Sequence, residues 1–290
     1  MAFRQLWVIA YRDLLRNRRR SVFTLLAVAL GLGLLIVLNG FIAGILEDSL
    51  QNSIRLQTGH VQIRAESYEM EKLSLLWKDL LDDPETLVGQ ANAMEEVKAA
   101  APVLWASGIL STVDESAGLQ LYGIDTTSAL HKPIQEGIVA GDFLTADDRS
   151  GILIGKRLAD SLGIGVGSKA NLAIVSADGR ADEGIFTVRG LFSTGVPNYD
   201  EGSAFLPLSK AQAFTKTGGR ASAIVVLLHE QSDTDAVATS LASTGLEILT
   251  WRNLNSLVLE AVQAGMSFSY ILDAIVMLRV AVIIANTLLM

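Results

Sequence analysis

The sequence predicts a membrane protein in which transmembrane α-helices flank a large extracytoplasmic α+β domain. Three observations carry the prediction. An uncharged run from Ser21 to Leu46 follows a cluster of arginines, and a second apolar run occupies Ser269 to Met290. About 220 residues between them alternate short strand and helix patterns.

Residues 1–20 carry six basic residues (Arg4, Arg12, Arg16, Arg18, Arg19 and Arg20) and one acid, Asp13. Phe3, Leu6, Trp7, Ala10 and Leu14 recur at helical spacing, which predicts a short amphipathic helix in the cytoplasmic interface. A plain basic leader is the alternative. Residues 21–46 would form a helix about 39 Å long, enough for a hydrocarbon core of about 30 Å. A secretory signal core is only about 7 to 15 residues long and ends at a small-residue cleavage site. Here Ala27-Val28-Ala29 lies inside the run and no such site follows. "RRRSVF" loosely resembles a twin-arginine signal, the alternative to a retained anchor. Basic residues hold a short flank in the cytoplasm, so Arg16, Arg18, Arg19 and Arg20 set the topology, and Glu47 and Asp48 open the other side.

The exterior, residues 47–268, follows. "GHVQIRA" (59–65) alternates as a strand, with Val61 and Ile63 on one face. Pro84 through Ala101 reads as a helix with Asp83 as N-cap and Pro84 at its first position. Strands are predicted at 103–112 and 118–124, and a strand then a short helix ended by Gly163 at 152–164. Residues 170–192 form two alternating strands around Asp178-Gly179, a strong hairpin signal. A buried strand (222–230), a helix (232–243) and a strand (246–251) precede a helix from near Asn253 that runs on into the second span. The pattern is an α+β domain with a β-rich insertion.

Residues 269–290 form that span, with only Asp273 and Arg279 charged. A charge at mid-span is costly against lipid, so Arg279 is expected at a helix–helix interface, snorkelling being the alternative. The absence of a polar flank after Leu288-Leu289-Met290 leads us to expect a fragment of a longer polytopic chain. Leu257, Val258, Ala261, Val262 and Met266 could line an entry for acyl chains or pack on the continuation of the first span.

Hydrophobic residues make up 50% of the chain and mean hydropathy is +0.38, values that fit membrane spans better than a soluble fold. The chain has no cysteine, so its exterior folds without disulfides and holds no thiolate site. The net charge is −8, and with +5 in residues 1–20 the remainder sums to −13, an acidic exterior that argues against nucleic acid. "GILIGKRL" (151–158) has three residues between its glycines where a phosphate-binding loop needs four, and Arg157 where that loop needs Ser or Thr. "GIGVGS" (163–168) lacks dinucleotide spacing. His60, His131 and His229 are far apart, and no H-E-x-x-H follows His229-Glu230. Tyr199-Asp200 and Asp182-Glu183 read as turn residues. No catalytic, metal or cofactor residue is predicted.

Several strings nevertheless occur in a recognisable order: "RDLLRNRRRSVFTLLAVALGLGLLIVLNGF", "TGHVQIRAESY", "LYGID" (121–125), "ILIGKRLADSLGIGVGSKANL" (152–172), "FTVRGLFSTGVPNYDEGSAFLPLSKAQ" (186–212) and the closing "IANTLLM". In these the chain resembles the permeases of the MacB and LolC/LolE (lipoprotein-releasing) type, in the FtsX-like branch of ABC transporters. The resemblance implies four transmembrane helices per subunit. It also implies an outer domain made of a Porter-like α/β part with an inserted β-rich Sabre-like part. Two permease subunits, alike or different, would work with two cytoplasmic ATPase subunits. ATP would move the outer domains by mechanotransmission, with hydrolysis in a separate subunit, so this chain would not be an enzyme and would need no cofactor. The expected partners are that ATPase, the second permease, membrane lipids and a lipid-anchored or amphiphilic cargo. In the lipoprotein-releasing family one subunit carries a longer hook where this chain has only Ala177, Asp178, Gly179 and Arg180, a possible partner-contact tip. That suggests the subunit that does not dock a carrier, or another export branch such as MacB-like efflux. An FtsX-like regulator of cell-wall enzymes and a bitopic sensor or adhesin are the other readings.

Overall fold

The computed structural model describes residues 18–242 and 246–289. In chain order its elements are α1 (Arg18–Ser53), a π-helical turn (Ile54–Thr58), β1 (Val61–Arg64), α2 (Pro84–Asn92), β2 (Val97–Ser111), β3 (Ser116–Ile124), α3 (Lys132–Glu136), β4 (Ile138–Gly141), β5 (Gly151–Gly155), α4 (Lys156–Ser161), β6 (Lys169–Val175), β7 (Ala181–Phe192), α5 (Pro197–Gly202), β8 (Ser203–Pro207), α6 (Leu208–Thr215), β9 (Ala223–Leu228), α7 (Thr234–Leu241), β10 (Glu247–Thr250), α8 (Trp251–Leu254) and α9 (Ser256–Leu289). The chain divides into two units, Met1–Leu50 with Ser256–Met290, and Gln51–Asn255. Most of the predicted N-terminal amphipathic helix (1–20), Arg16 included, lies outside the described residues.

In the first unit, α1 and α9 turn apolar side chains outward on every side. Phe23, Leu30, Ile36 and Phe41, and Tyr270, Met277 and Leu278, are each more than half exposed. Both helices are long and apolar enough to cross a membrane, and no residue of their most apolar stretches is buried. A soluble core helix would be covered by protein; these offer lipid the surface it prefers. In the uncharged run 21–46 of α1 the one amide side chain, Asn39, accepts a 2.8 Å hydrogen bond from the Ser269 hydroxyl of α9. Such bonds between apolar helices join them where apolar contact alone gives little preference.

In the second unit the ten strands of the described residues join one sheet, ordered β10-β1-β9-β2-β3-β8-β5-β7-β4, with β6 bridging β2 and β7. The bridge closes β2, β3, β8, β5, β7 and β6 into a six-strand barrel. Two long strands make closure possible by changing neighbours along their length. β2 pairs with β9 from Val97 to Val103, then with β6 from Gly108 to Ser111. β7 pairs with β6 from Ala181 to Thr187, then with β5 up to Phe192. β6 buries Ala170, Leu172 and Ile174 and turns the alternate residues out, as a barrel wall requires. β9, β1 and β10 extend the sheet beyond the barrel. The fold is therefore the mixed α+β domain between two long apolar helices that the sequence predicts.

The expected helix Pro84–Ala101 needs correction. Asp83 caps it as predicted, its carboxylate accepting from the Thr86 amide, but the helix stops at Asn92. Val97–Ala101 belongs to β2, where the Asn92 side chain accepts from the Ala100 amide at 2.9 Å. Pro102 disfavours helix for the residue before it, and Ala100 and Ala101 are buried in the sheet. Small alanines that read as helix formers are here what a strand covered on both faces can hold. Tyr199-Asp200 also departs from expectation, since both residues are buried in α5.

Candidate functional site

The geometry draws attention to the neck of the domain, where the chain enters and leaves. It enters through the π-helical turn and β1 and leaves through β10 and α8. β1 and β10 are antiparallel neighbours, with Val61 opposite Thr250. The Trp251 amide donates to the His60 carbonyl at 2.9 Å, so the two connections are hydrogen-bonded to each other.

Local chemistry explains the turn. Its Ile54 carbonyl accepts from the Gly59 amide at 2.9 Å, one residue wider than an α-helix allows. Gly59 then takes φ +62°, and a Cβ there would stand 2.8 Å from the Val226 carbonyl oxygen, so only glycine turns this corner. His60 fastens the corner to β9: its amide donates to Val226 O at 2.9 Å, and its Nδ1 accepts from the Leu228 amide at 2.9 Å. Burial, aided by Lys98, lowers the His60 pKa, which keeps the neutral ring that Nδ1 acceptance requires. From the barrel side the Tyr199 hydroxyl donates to the Leu56 carbonyl at 3.1 Å. Tyr199 is buried among Tyr122, Phe192 and Phe205, and burial raises its pKa well above the usual tyrosine value.

Asp200, the next residue, sets that tyrosine in place. Its carboxylate accepts from the Thr194 amide, the Thr194 hydroxyl (2.7 Å) and the Ser193 hydroxyl (2.9 Å). A cavity of about 20 Å³ lies below the turn, lined by Ile54, Leu56, Trp105, Tyr122, His131 and Phe205 among others. That is room for a single water. The His131 Nε2 is buried with no hydrogen-bond partner among the described residues, and burial pushes its pKa down to about 4.

The residues singled out in the sequence lie elsewhere. Arg18 and Arg19 are exposed at the start of α1, which also contains Arg20. Arg279 is exposed on α9, as are Leu257 and Met266. The tip Ala177–Arg180 is tied back to the C-terminus of α6: the Ala177 amide donates to Thr215 O at 2.9 Å, and Lys216 Nζ reaches Asp182 at 2.6 Å and Asp178 at 3.3 Å. Asp178 is held at about 2, chiefly by the Ser176 hydroxyl, with the Arg180 amide and Lys216 adding to it. Among the described residues no group of His, Asp or Glu is arranged to hold a metal ion. Sequence reading passed over the neck; the one local signal for it is Thr58-Gly59 directly after a long apolar helix.

A barrel-containing α+β domain, entered and left at one neck and flanked in sequence by two long apolar helices, defines a membrane-protein module. Residues 21–244 match the family model of the MacB-like periplasmic core domain, and the chain belongs to that family. It is thus a permease subunit of the MacB/FtsX-like ABC transporters, a membrane protein of a complex that includes an ATPase. Among solved structures it is similar to the periplasmic region of MacB from Actinobacillus actinomycetemcomitans, at 15% identity over 72% of this chain and 97% of that one, with a TM-score of 0.47. It is also similar to the extracellular domain of the noncanonic ABC-type transporter YknZ from Gram-positive bacteria, at 14% identity over 66% and 98% of the two chains, with a TM-score of 0.44. No curated protein matches the chain.

Proposed function

We propose that this permease works by mechanotransmission and releases lipid-anchored proteins from the outer leaflet of the inner membrane, driven by a separate cytoplasmic ATPase subunit and paired with a second permease. One observation carries the reading: the domain's two connections leave from adjacent strands and are bonded together at His60 and Trp251. A domain held at one neck moves as a body when its two helices move, which is what force transmission without a pore needs. In this reading residues 1–20 are cytoplasmic, 21–46 and 269–290 span the bilayer and 47–268 lie outside. Arg16, Arg18, Arg19 and Arg20 fix that orientation, and Arg279 faces another helix of the assembly. The tip Ala177–Arg180, clamped by Lys216, is a rigid partner contact and supports assignment as the subunit that does not dock a periplasmic carrier.

Depletion with fractionation of the envelope tests the cargo. Acylated proteins accumulating in the inner membrane support release. Unchanged sorting overturns it, and capture of a cell-wall hydrolase or loss of resistance to amphiphiles then identifies the regulator or efflux alternative. Asp178→Cys in intact cells tests orientation, because a membrane-impermeant maleimide must label it.

A further inference from the structure

β1 is a short strand, yet it buries two polar side chains, Gln62 (1% exposed) and Arg64 (5%). The Gln62 amide nitrogen donates to the carbonyls of Thr58 (2.9 Å) and Gln57 (3.3 Å), the last two residues of the π-helical turn. Its Oε1 accepts from Arg64, from Nε at 2.9 Å and from a second guanidinium nitrogen. The guanidinium in turn lies 5.4 Å from the Trp105 ring centroid on β2 and 5.8 Å from that of Tyr68. Trp105 is itself fixed, its amide donating to the Ser222 hydroxyl at 3.0 Å. An unbroken chain of polar and cation–π contacts, buried from Gln62 onward, thus runs from the turn to a barrel strand. Burying a cation is costly, and burial lowers the Arg64 pKa, with Tyr68 and Glu247 acting against it. A methionine would fill the space without that cost, so the cation's return lies in direction: a planar fork lying over aromatic rings holds its acceptor at a fixed angle.

We propose that Arg64 is a positioning residue that acts through Gln62 to lock the π-helical turn onto the barrel, so that tilting of the turn is passed to the barrel rather than absorbed at the neck. The link to transport rests on the mechanotransmission reading; the lock itself does not. The test uses the full-length permease assembled with its ATPase in nanodiscs. Arg64→Met removes the donor and keeps the stem. Gln62→Glu keeps an acceptor for Arg64 but removes the donor to the turn, so it remains informative where Arg64→Met does not assemble. Both variants are expected to speed amide exchange of residues 54–60 roughly tenfold, the equivalent of about one net hydrogen bond. Exchange of residues 151–155, in β5, stays unchanged. Spin labels at Val113→Cys, in a chain without native cysteine, and on the outer domain of the second permease subunit should show a nucleotide-driven distance shift between the subunits that both variants lose while ATP hydrolysis continues. Arg64→Lys should fall between them and wild type. Unaltered exchange at 54–60 in both variants overturns the lock. A wild-type complex with no nucleotide-driven shift overturns mechanotransmission instead, and exchange alone then decides the lock.

Discussion

Replacing Asp200 by alanine is the sharpest probe of how the neck is held. The carboxylate is 2% exposed and serves the Thr194 amide, the Thr194 hydroxyl and the Ser193 hydroxyl. In Asp200→Ala the two hydroxyls can turn to other acceptors, whereas the Thr194 amide is left without a partner. A hydrogen bond to a charged group contributes about 1.5–3 kcal/mol, and a stranded buried donor costs about as much, so a loss of about 3–4 kcal/mol is expected. Asp200→Asn keeps the shape and one oxygen acceptor and should lose about 1 kcal/mol. The excised domain Gln51–Asn255, whose first and last strands are neighbours, is the object to measure. Urea titrations followed by tryptophan fluorescence and by circular dichroism should give coincident transitions with equal slopes and shifted midpoints. At about 2–4 °C per kcal/mol for a domain of this size, the alanine variant should melt about 6–16 °C below wild type. An alanine variant as mild as the asparagine variant would refute the account of Asp200 as the group that organises residues 193–200.

Three further outcomes follow from the described geometry. Burial depresses the His131 pKa to about 4, so the folded state binds its proton more weakly than the unfolded chain. The domain therefore keeps its full stability above about pH 6.5 and loses up to ~3 kcal/mol as pH falls toward 4, a slope that His131→Phe should abolish in urea titrations across that range. Asp178, held at about 2 first by Ser176, adds stability above the ordinary aspartate pKa that disappears as pH falls through its own. Ser176→Ala should move its carboxyl titration upward, as read by carbon NMR, and an unmoved titration would reassign the cause to Lys216. Arg279→Leu should insert normally but assemble poorly, checked by protease protection and by co-purification with the partner subunits, and a fully active variant would remove the interface role.

What could be read in the sequence was local. Asp178-Gly179 between alternating strands locates the β6–β7 hairpin, and the polar break after "ILIG" locates β5 and α4. The span from Ser193 to Thr215 was illegible because its elements are short and hold their shape through distant partners: Tyr199 meets Leu56, 143 positions away. The neck failed for a related reason. Alternation in "GHVQIRA" predicts one wet face for β1, but the π-helical turn, Tyr68 and Trp105 cover that face, so Gln62 and Arg64 are buried. Nothing near residue 62 announces that the Arg64 guanidinium will lie over the Trp105 ring. The long apolar runs, by contrast, needed no tertiary context, because lipid rather than protein is the partner they are matched to.

The side-by-side exit of β1 and β10 makes the domain strong in one direction and weak in another. If both ends are drawn the same way, the ladder between them bears no load and the body travels whole. If the ends are wrenched apart, strain falls on one rung after another, beginning at His60 with Trp251 and then Val61 with Thr250, as a zip parts from its open end. β10 has only four residues and pairs with no strand but β1 among the described residues, so it would peel first while the barrel stayed shut. In the mechanotransmission reading the pair is thus a mechanical fuse: it would pass concerted strokes and yield to divergent ones.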